Sequence, residues 1–160
     1  KAHRRVSKKK KGSKRRAKAV QLLQRTYAKI RNQRLDFHHK LAQRLVRCFD
    51  LIAFEALNVK GMIQNHHLSK RIADVGWGQF LRILSFKAEE AGKVAIAVNP
   101  HRTSQVCAGC GTEVAKDLSQ RRHVCSYCGL SVHRDHNAAL NILRLGRSLQ
   151  GALALAGALN

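Results

Sequence analysis

Residues 107–129 read CAGCGTEVAKDLSQRRHVCSYCG and contain two Cys-x-x-Cys pairs separated by 14 residues. A Cys-x-x-Cys turn presents two thiolates together, and two such turns complete the tetrahedral set that zinc prefers. Gly111 and Gly129 follow the two pairs, where a backbone with positive φ is useful. Because protein fills all four positions, we predict a structural rather than a catalytic zinc site, formed by Cys107, Cys110, Cys125 and Cys128. Two redox dithiols are the alternative interpretation.

The composition is strongly basic. The 160 residues include 31 lysines and arginines against 9 aspartates and glutamates, which gives a net charge of +22 with histidine neutral. A field this positive attracts phosphate backbones, so we predict a nucleic-acid partner. No apolar run approaches the roughly 20 residues that span a bilayer, and no apolar segment follows the basic N-terminus, so we expect neither a membrane protein nor a secretory signal. Because the first residue is Lys1 rather than Met, we expect a processed chain or a piece of a longer one.

The first third of the chain is dominated by lysine and arginine. Residues 1–16, KAHRRVSKKKKGSKRR, are expected to form a solvated basic arm that is mobile until it meets phosphate. Apolar residues then recur at steps of three and four over 14–49, which predicts a basic amphipathic helix or a helical hairpin, with Cys48 as an inert core residue on its apolar stripe. The arm is expected to contact phosphate through Lys8, Lys9, Lys10, Lys11, Lys14, Arg15 and Arg16.

Residues 50–100 are predicted to form the core of an α/β fold. DLIAFE at 50–55 and KVAIAVNP at 93–100 are short, bounded apolar runs that suit buried strands. A helical pattern precedes the second run, whereas 62–75 is polar and is expected to be irregular. Strand, helix and strand in this order predict a parallel crossover unit. The zinc ribbon is assigned to 101–133, a last helix to 134–146 and a tail to 147–160.

Two of the nine carboxylates stand at positions where a metal ligand is expected. Glu55 closes an apolar strand, where a carboxylate is costly unless it is paired or bound to metal. Asp135 stands at the start of the last helix, directly after the zinc segment. The alternative interpretations are an ion pair with a lysine or arginine for Glu55 and an N-cap for Asp135.

FEALNVKGM, followed by the two Cys-x-x-Cys pairs and HRDHNAALNIL, resembles the OrfB/TnpB proteins of bacterial insertion sequences. The resemblance runs from KKKKGSKRR to Leu143. These proteins are RNA-guided, RuvC-like nucleases with an RNase H-like fold and a zinc ribbon inserted before the last helix. The resemblance implies that Glu55 and Asp135 are the second and third of three carboxylates that hold Mg²⁺ or Mn²⁺ for two-metal phosphodiester hydrolysis. It also implies DNA and guide RNA as partners and a cytoplasmic, nucleoid-associated location in a prokaryote.

The sequence departs from the family pattern in two places. The family's first carboxylate lies on an early strand in a motif like G-I-D-x-G, and residues 1–49 offer no such strand. The residue after Glu55 is commonly Asp in the family and is Ala56 here. We therefore expect the C-terminal part of such a nuclease, with a partial RNase H-like fold, long basic N-terminal helices and an inserted four-cysteine zinc ribbon. An inactive zinc-ribbon remnant that binds nucleic acid is the alternative.

Residues around the ribbon are further candidates for nucleic-acid contact. Four of them lead into the first knuckle and two lie on the arm between the knuckles. His133 and His136 flank Asp135 and are expected to be solvated or hydrogen-bonded, and His101 and His123 are not expected to bind zinc. The candidate contact residues are Arg102, Thr103, Ser104, Gln105, Arg121 and Arg122.

Overall fold

The computed structural model describes residues 1–67, 69–117 and 119–157, so positions 158–160 of the predicted tail lie outside the described residues. The main helices and strands follow the predicted order, with additional short helices and two short strands in the ribbon. The predicted end of the last helix at 146 is wrong, because α6 continues to Gly157 through most of the expected tail. The helices are α1 (Ala2–Ser7), α2 (Lys14–Cys48), α3 (Val59–Ile63), α4 (Ser69–Val75), α5 (Trp77–Glu90) and α6 (Arg134–Gly157). The strands are β1 (Leu51–Glu55), β2 (Val94–Val98), β3 (Arg122–Val124) and β4 (Ser131–His133).

The chain divides into two compact units, the first of which is Lys1–Ala42. Within it, α1 is folded rather than part of a mobile arm, because local contacts fix it. Gly12 adopts a φ of +80° in the turn between the helices, and the guanidinium of Arg16 donates a 3.0 Å hydrogen bond to the carbonyl of Val6. The His3 ring also contacts the Tyr27 hydroxyl. The basic segment is therefore partly structured before it meets any polyanion.

A single helix, α2, covers the region for which a helix and a hairpin were alternatives. Its 35 residues contain no glycine or proline that could end it early. The predicted core role of Cys48 is wrong, because this cysteine ends the helix with an exposed side chain. Much of the apolar stripe is also solvent-accessible, with Tyr27 53% and Phe37 60% exposed.

The second unit starts at Gln43 and contains a parallel sheet of β1 and β2. The register runs from Leu51 opposite Val94 to Glu55 opposite Val98, with α5 in the connection, which confirms the predicted crossover unit. The end of α5 explains how the chain turns into β2. Gly92 adopts a φ of +63°, and the Lys93 amide donates a 2.8 Å hydrogen bond to the carbonyl of Ala88.

Helix α6 contacts both strands of this sheet. Gly146 is buried where α6 meets β1. The apolar core of the unit includes Leu84 of α5 and Val98 of β2, which are 2% and 1% exposed. This packing places the start of α6 beside the ends of the strands, where Glu55 lies.

Residues 59–67 and 69–75 are more regular than the sequence indicates. Helix α3 begins after Asn58, whose side-chain oxygen accepts a 3.0 Å hydrogen bond from the Gly61 amide. Helix α4 buries Ile72. The expectation of an irregular segment over 62–75 is therefore wrong in its helical parts, which are too short to show a clear apolar period. Among the described helices, none combines the length and apolar character needed to cross a membrane.

Candidate zinc site and carboxylate cleft

The four cysteines of the two knuckles converge on one point. Their Sγ atoms all lie within 4.8 Å of one another, and the separations Cys107–Cys128 and Cys110–Cys125 are both 3.6 Å. A zinc ion bound to four thiolates at about 2.3 Å requires sulfur atoms about 3.8 Å apart. The arrangement therefore fits a tetrahedral zinc ion, and within the described residues it is the only group of three or more Cys, His, Asp or Glu that could hold a metal.

The two knuckles share one backbone geometry. In the first, the Cys107 amide donates to the Thr112 carbonyl and the Gly111 amide donates to the Cys107 carbonyl, both at 2.9 Å. In the second, the same two bonds recur at 2.9 Å among Cys125, Leu130 and Gly129. Both glycines have positive φ, 79° and 75°, as the sequence predicts. In each knuckle, these bonds close the turn that carries its two cysteines.

The thiol of Cys110 is disposed to ionise. Hydrogen bonding to Thr112 lowers the pKa of Cys110 to about 6, and its Sγ lies 3.4 Å from the Thr112 hydroxyl oxygen. Since the thiolate is the form that binds metal, this contact favours ligation at neutral pH. Cys110 and Cys128 are exposed, whereas Cys107 and Cys125 are buried.

Glu55 and Asp135 line one cleft of about 490 Å³. Glu55 is the last residue of β1 and Asp135 is the second residue of α6, so a strand end and a helix start bring together residues that are 80 positions apart. The other lining residues are Pro100, Thr103, Ser104, Arg134, Ala138, Ala139 and Ile142. The structure thus places the two predicted carboxylates at one site.

The two carboxylates have different surroundings. Glu55 accepts a 2.8 Å hydrogen bond from the hydroxyl of Thr103, so its partner is not the lysine or arginine of the alternative interpretation. Asp135 is 70% exposed, and its carboxylate lies 3.6 Å from the Arg134 guanidinium. Because Asp135 lies inside the first turn of α6, it is not the N-cap. Its backbone amide instead donates 3.2 Å to Nδ1 of His133.

The cleft is lined by two carboxylates in the described part of the chain. Asp50, five residues before Glu55, lies at the opposite end of β1, where its side chain is 96% exposed and pairs with Lys93 at 3.2 Å. Asp74 lies in α4 and does not line the cleft. Two carboxylates are sufficient for Mg²⁺, which is commonly held by one or two of them together with substrate phosphates.

Several residues predicted to contact nucleic acid have partners within the protein. Arg102 has a positive φ of 59° and pairs with Glu113, and Thr103 is only 5% exposed. The Ser104 carbonyl accepts a 2.7 Å bond from Lys116. The exposed residues of the set are Lys8, Lys9, Lys10, Lys11, Lys14, Arg15, Arg102, Arg121 and Arg122, whereas Arg16, Ser104 and Gln105 are half-buried.

A hollow of about 570 Å³ on the ribbon gathers basic side chains. Arg121 and Arg122 line it together with Lys116, which the sequence did not single out. Burial lowers the pKa of Lys116 and that of His123, whose ring is fully buried and contacts the Lys116 ammonium. His123 lies outside the four-cysteine group.

Two buried asparagines of α6 were missed by reasoning from the sequence. Asn137 and Asn141 are 0% and 3% exposed, and both bond to the backbone that leads into the first knuckle. A signal for them was present: two asparagines at positions i and i+4 of a helix occupy the same face as the apolar residues around them.

Two family models match the chain. The one described as "Probable transposase" matches residues 1–66, and the one described as "Cas12f1-like, TNB domain" matches residues 77–142. The first match covers α1, α2, β1 and α3, and the second covers α5, β2, the ribbon and the first nine residues of α6.

Curated proteins of the same kind are similar to this chain over most of its length. A protein of Streptomyces pristinaespiralis named "Putative RNA-guided DNA endonuclease" is 38% identical over 148 residues, which are 91% of this chain and 37% of that protein. A TnpB-like protein of Acanthamoeba polyphaga mimivirus is 31% identical over 141 residues, 84% of this chain and 27% of that protein. This chain therefore spans well under half the length of these relatives.

A solved structure shares the fold. The Cas12f1 chain in a cryo-EM structure of a Cas12f1–sgRNA–target DNA complex superposes with a TM-score of 0.54 at 20% identity. The match covers 81% of this chain and 36% of that chain.

Proposed function

Because this chain belongs to the OrfB/TnpB family of transposon-encoded proteins, we propose that it forms part of an RNA-guided DNA endonuclease. In this proposal the strands and α6 belong to an RNase H-like, RuvC-like core, and Glu55 and Asp135 hold Mg²⁺ or Mn²⁺. The observation that carries the proposal is that these two carboxylates line one cleft although 80 positions separate them.

The surroundings of the cleft suit phosphodiester chemistry. Glu55 is held by Thr103, whereas Asp135 is open to solvent and can adjust to a substrate. Arg134 lines the cleft and places a positive charge where a phosphate of the substrate would enter. Glu55 and Asp135 would hold the divalent cations, which would supply activation of the attacking water and stabilisation of the leaving oxygen for an in-line displacement.

The basic surfaces support DNA and guide RNA as partners. Asp36 is the only acidic residue among the first 42, and the lysines of 8–11 are exposed. Such a surface neutralises phosphates without reading sequence, which suits a protein whose target is chosen by base pairing. Zinc has a structural role in this proposal, since the four cysteines leave no open position for substrate.

Iron-directed cleavage tests the cation site directly. Zinc-loaded protein is incubated with Fe²⁺, ascorbate and peroxide, and the fragments are located by mass spectrometry. We expect Fe²⁺ bound in the cleft to break the backbone near 55 and 135. Excess Mg²⁺ should suppress these breaks by displacing Fe²⁺, and E55Q and D135N should abolish them. The matched control, D50N at the other end of β1, should leave the breaks unchanged.

A protein that binds nucleic acid without cutting is the second candidate. It is favoured by one observation, that only two carboxylates line the cleft within the described residues. If Fe²⁺ produces no breaks near 55 and 135, or if E55Q leaves them intact, the carboxylates do not bind a divalent cation and this second candidate replaces the first.

A further inference from the structure

Thr103 joins the zinc ribbon to the carboxylate cleft. Its hydroxyl donates 2.8 Å to Oε1 of Glu55, which is shorter than its 3.2 Å distance to the Pro100 carbonyl. Thr103 is only 5% exposed, so water does not compete freely for this bond. A hydrogen bond to a carboxylate is among the strong ones, and it fixes one oxygen of Glu55 in space.

Thr103 is itself held by helix α6. The side-chain amide of Asn141 donates 2.9 Å to the Thr103 carbonyl and 2.7 Å to the Val106 carbonyl. Asn141 is 3% exposed, and leaving these buried carbonyls unpaired would be costly. The backbone between residues 103 and 106 is therefore tied to the helix that carries Asp135.

The same helix holds the first zinc knuckle. Asn137, two residues after Asp135, donates 2.7 Å to the Val106 carbonyl and accepts 2.9 Å from the Ala108 amide. These two backbone groups belong to the residues before and after Cys107, so the fully buried side chain of Asn137 holds the backbone on both sides of a predicted zinc ligand. A continuous set of hydrogen bonds thus leads from the zinc knuckle through Asn137 and Asn141 to Thr103 and Glu55.

We propose that Thr103 is a positioning residue for Glu55 and that the zinc knuckle, through Asn137 and Asn141, holds Thr103 in place. Zinc occupancy then sets the affinity of the Glu55–Asp135 cleft for a divalent cation. The inference rests on the proposed function, because it takes these two carboxylates as cation ligands. Partners that orient metal ligands typically change metal affinity by about 10–100-fold when removed.

The first arm of the test compares Thr103→Val with Thr103→Ser. Valine keeps the shape of threonine without a donor, whereas serine keeps the hydroxyl. Mn²⁺ affinity is measured on zinc-loaded protein by electron paramagnetic resonance of free Mn²⁺. We expect T103V to bind Mn²⁺ about 10-fold more weakly and T103S to retain wild-type affinity. Equal affinity of T103V and wild type would overturn the positioning role.

The second arm removes zinc. We expect zinc-free wild type to lose Mn²⁺ affinity by about the same 10-fold factor as T103V. In T103V, zinc removal should cause no further loss, because the two changes act through one contact. A further 10-fold loss of Mn²⁺ affinity in zinc-free T103V would overturn the coupling. An unchanged Mn²⁺ affinity of zinc-free wild type would overturn it as well. The wild-type comparison involves no substitution and stands even if T103V folds poorly.

Glu55→Gln separates this inference from the proposed function. If E55Q binds Mn²⁺ as wild type does, the proposed cation site fails and the inference fails with it. If E55Q loses Mn²⁺ while T103V retains it, only the inference fails. Loss in both E55Q and T103V, with binding retained in T103S and in the D50N control, supports both.

Discussion

The backbone of Gly146 in α6 lies directly against Ala53 in β1. A Cβ added at Gly146 would come within 2.6 Å of the Ala53 Cβ, a separation that real Cβ atoms essentially never show. The helix that carries Asp135 therefore packs against the strand that carries Glu55 at a distance that only a glycine at position 146 allows. The close approach brings the start of α6 to the end of β1, where the cleft lies.

Gly146→Ala should destabilise the second unit. The added methyl group has no room unless helix and strand separate, so we expect a loss of about 1–3 kcal/mol in the free energy of unfolding, measured in urea. Ala53→Gly should rescue G146A, since it removes the opposing methyl group. Gly151→Ala on the same helix meets nothing within 4 Å and should stabilise by up to about 1 kcal/mol. A neutral G146A would show that the two elements are not in contact in solution.

Zinc removal should unfold the ribbon. Metal binding supplies the folding free energy of such segments, so the zinc-free chain should become sensitive to protease within 101–133 while the β1–β2 unit resists. The purified protein should carry one zinc per chain. Cys48→Ser is the matched control and should keep both zinc and protease resistance, because Cys48 lies outside the four-cysteine group. A ribbon that stays protease-resistant without zinc would contradict the structural role.

Asn137→Ala should weaken zinc binding. The substitution removes the amide that pairs with the backbone on both sides of Cys107, and we expect about 10-fold lower zinc affinity in competition with a chromogenic chelator. Asn32→Ala, on the exposed surface of α2, should leave zinc affinity unchanged. Equal zinc affinity of the two variants would mean that the hydrogen bonds of Asn137 on either side of Cys107 do not contribute to zinc binding.

Binding to duplex DNA should depend steeply on salt. If about 6 phosphates are neutralised, affinity should fall roughly 10³-fold between 50 and 200 mM salt. Replacing Lys8, Lys9, Lys10 and Lys11 by glutamine should lower the slope of log affinity against log salt by about 3 to 4, whereas arginine at all four should preserve it. A flat response in the wild type would show that the charge does not contact phosphate.

The sequence predicts those parts of the site that depend on local pattern. The spacing of the four cysteines predicts the zinc site, and the place of Gly111 and Gly129 after the knuckles predicts their positive φ, because a knuckle closes within a few residues. The parallel pairing of β1 and β2 followed from the order of strand, helix and strand. The pairing of Glu55 with Asp135 comes from the resemblance. Chain position alone does not distinguish metal binding from an ion pair for Glu55 or from an N-cap for Asp135.

The rest depends on contacts between distant segments. Thr103 has the sequence context of a surface residue, beside two polar neighbours, yet it is buried and donates a hydrogen bond to a residue 48 positions away. Asn141 likewise bonds to a carbonyl 38 positions away. Cys48 shows the converse error, since its place on the apolar stripe of α2 suggested burial and it is exposed. Periodicity reports which face is apolar, but not whether another element covers it.

We propose that this chain holds two metal sites of different chemistry, a thiolate site for zinc and a carboxylate cleft for a hard divalent cation. Anomalous diffraction from zinc-loaded crystals soaked in Mn²⁺, recorded at the zinc and manganese edges, would locate both metals in one crystal. We predict a zinc peak at Cys107, Cys110, Cys125 and Cys128 and a manganese peak in the cleft at Glu55 and Asp135. A crystal with the zinc peak but no manganese at the cleft, at Mn²⁺ concentrations that saturate the solution titration, would show that Glu55 and Asp135 do not form a cation site.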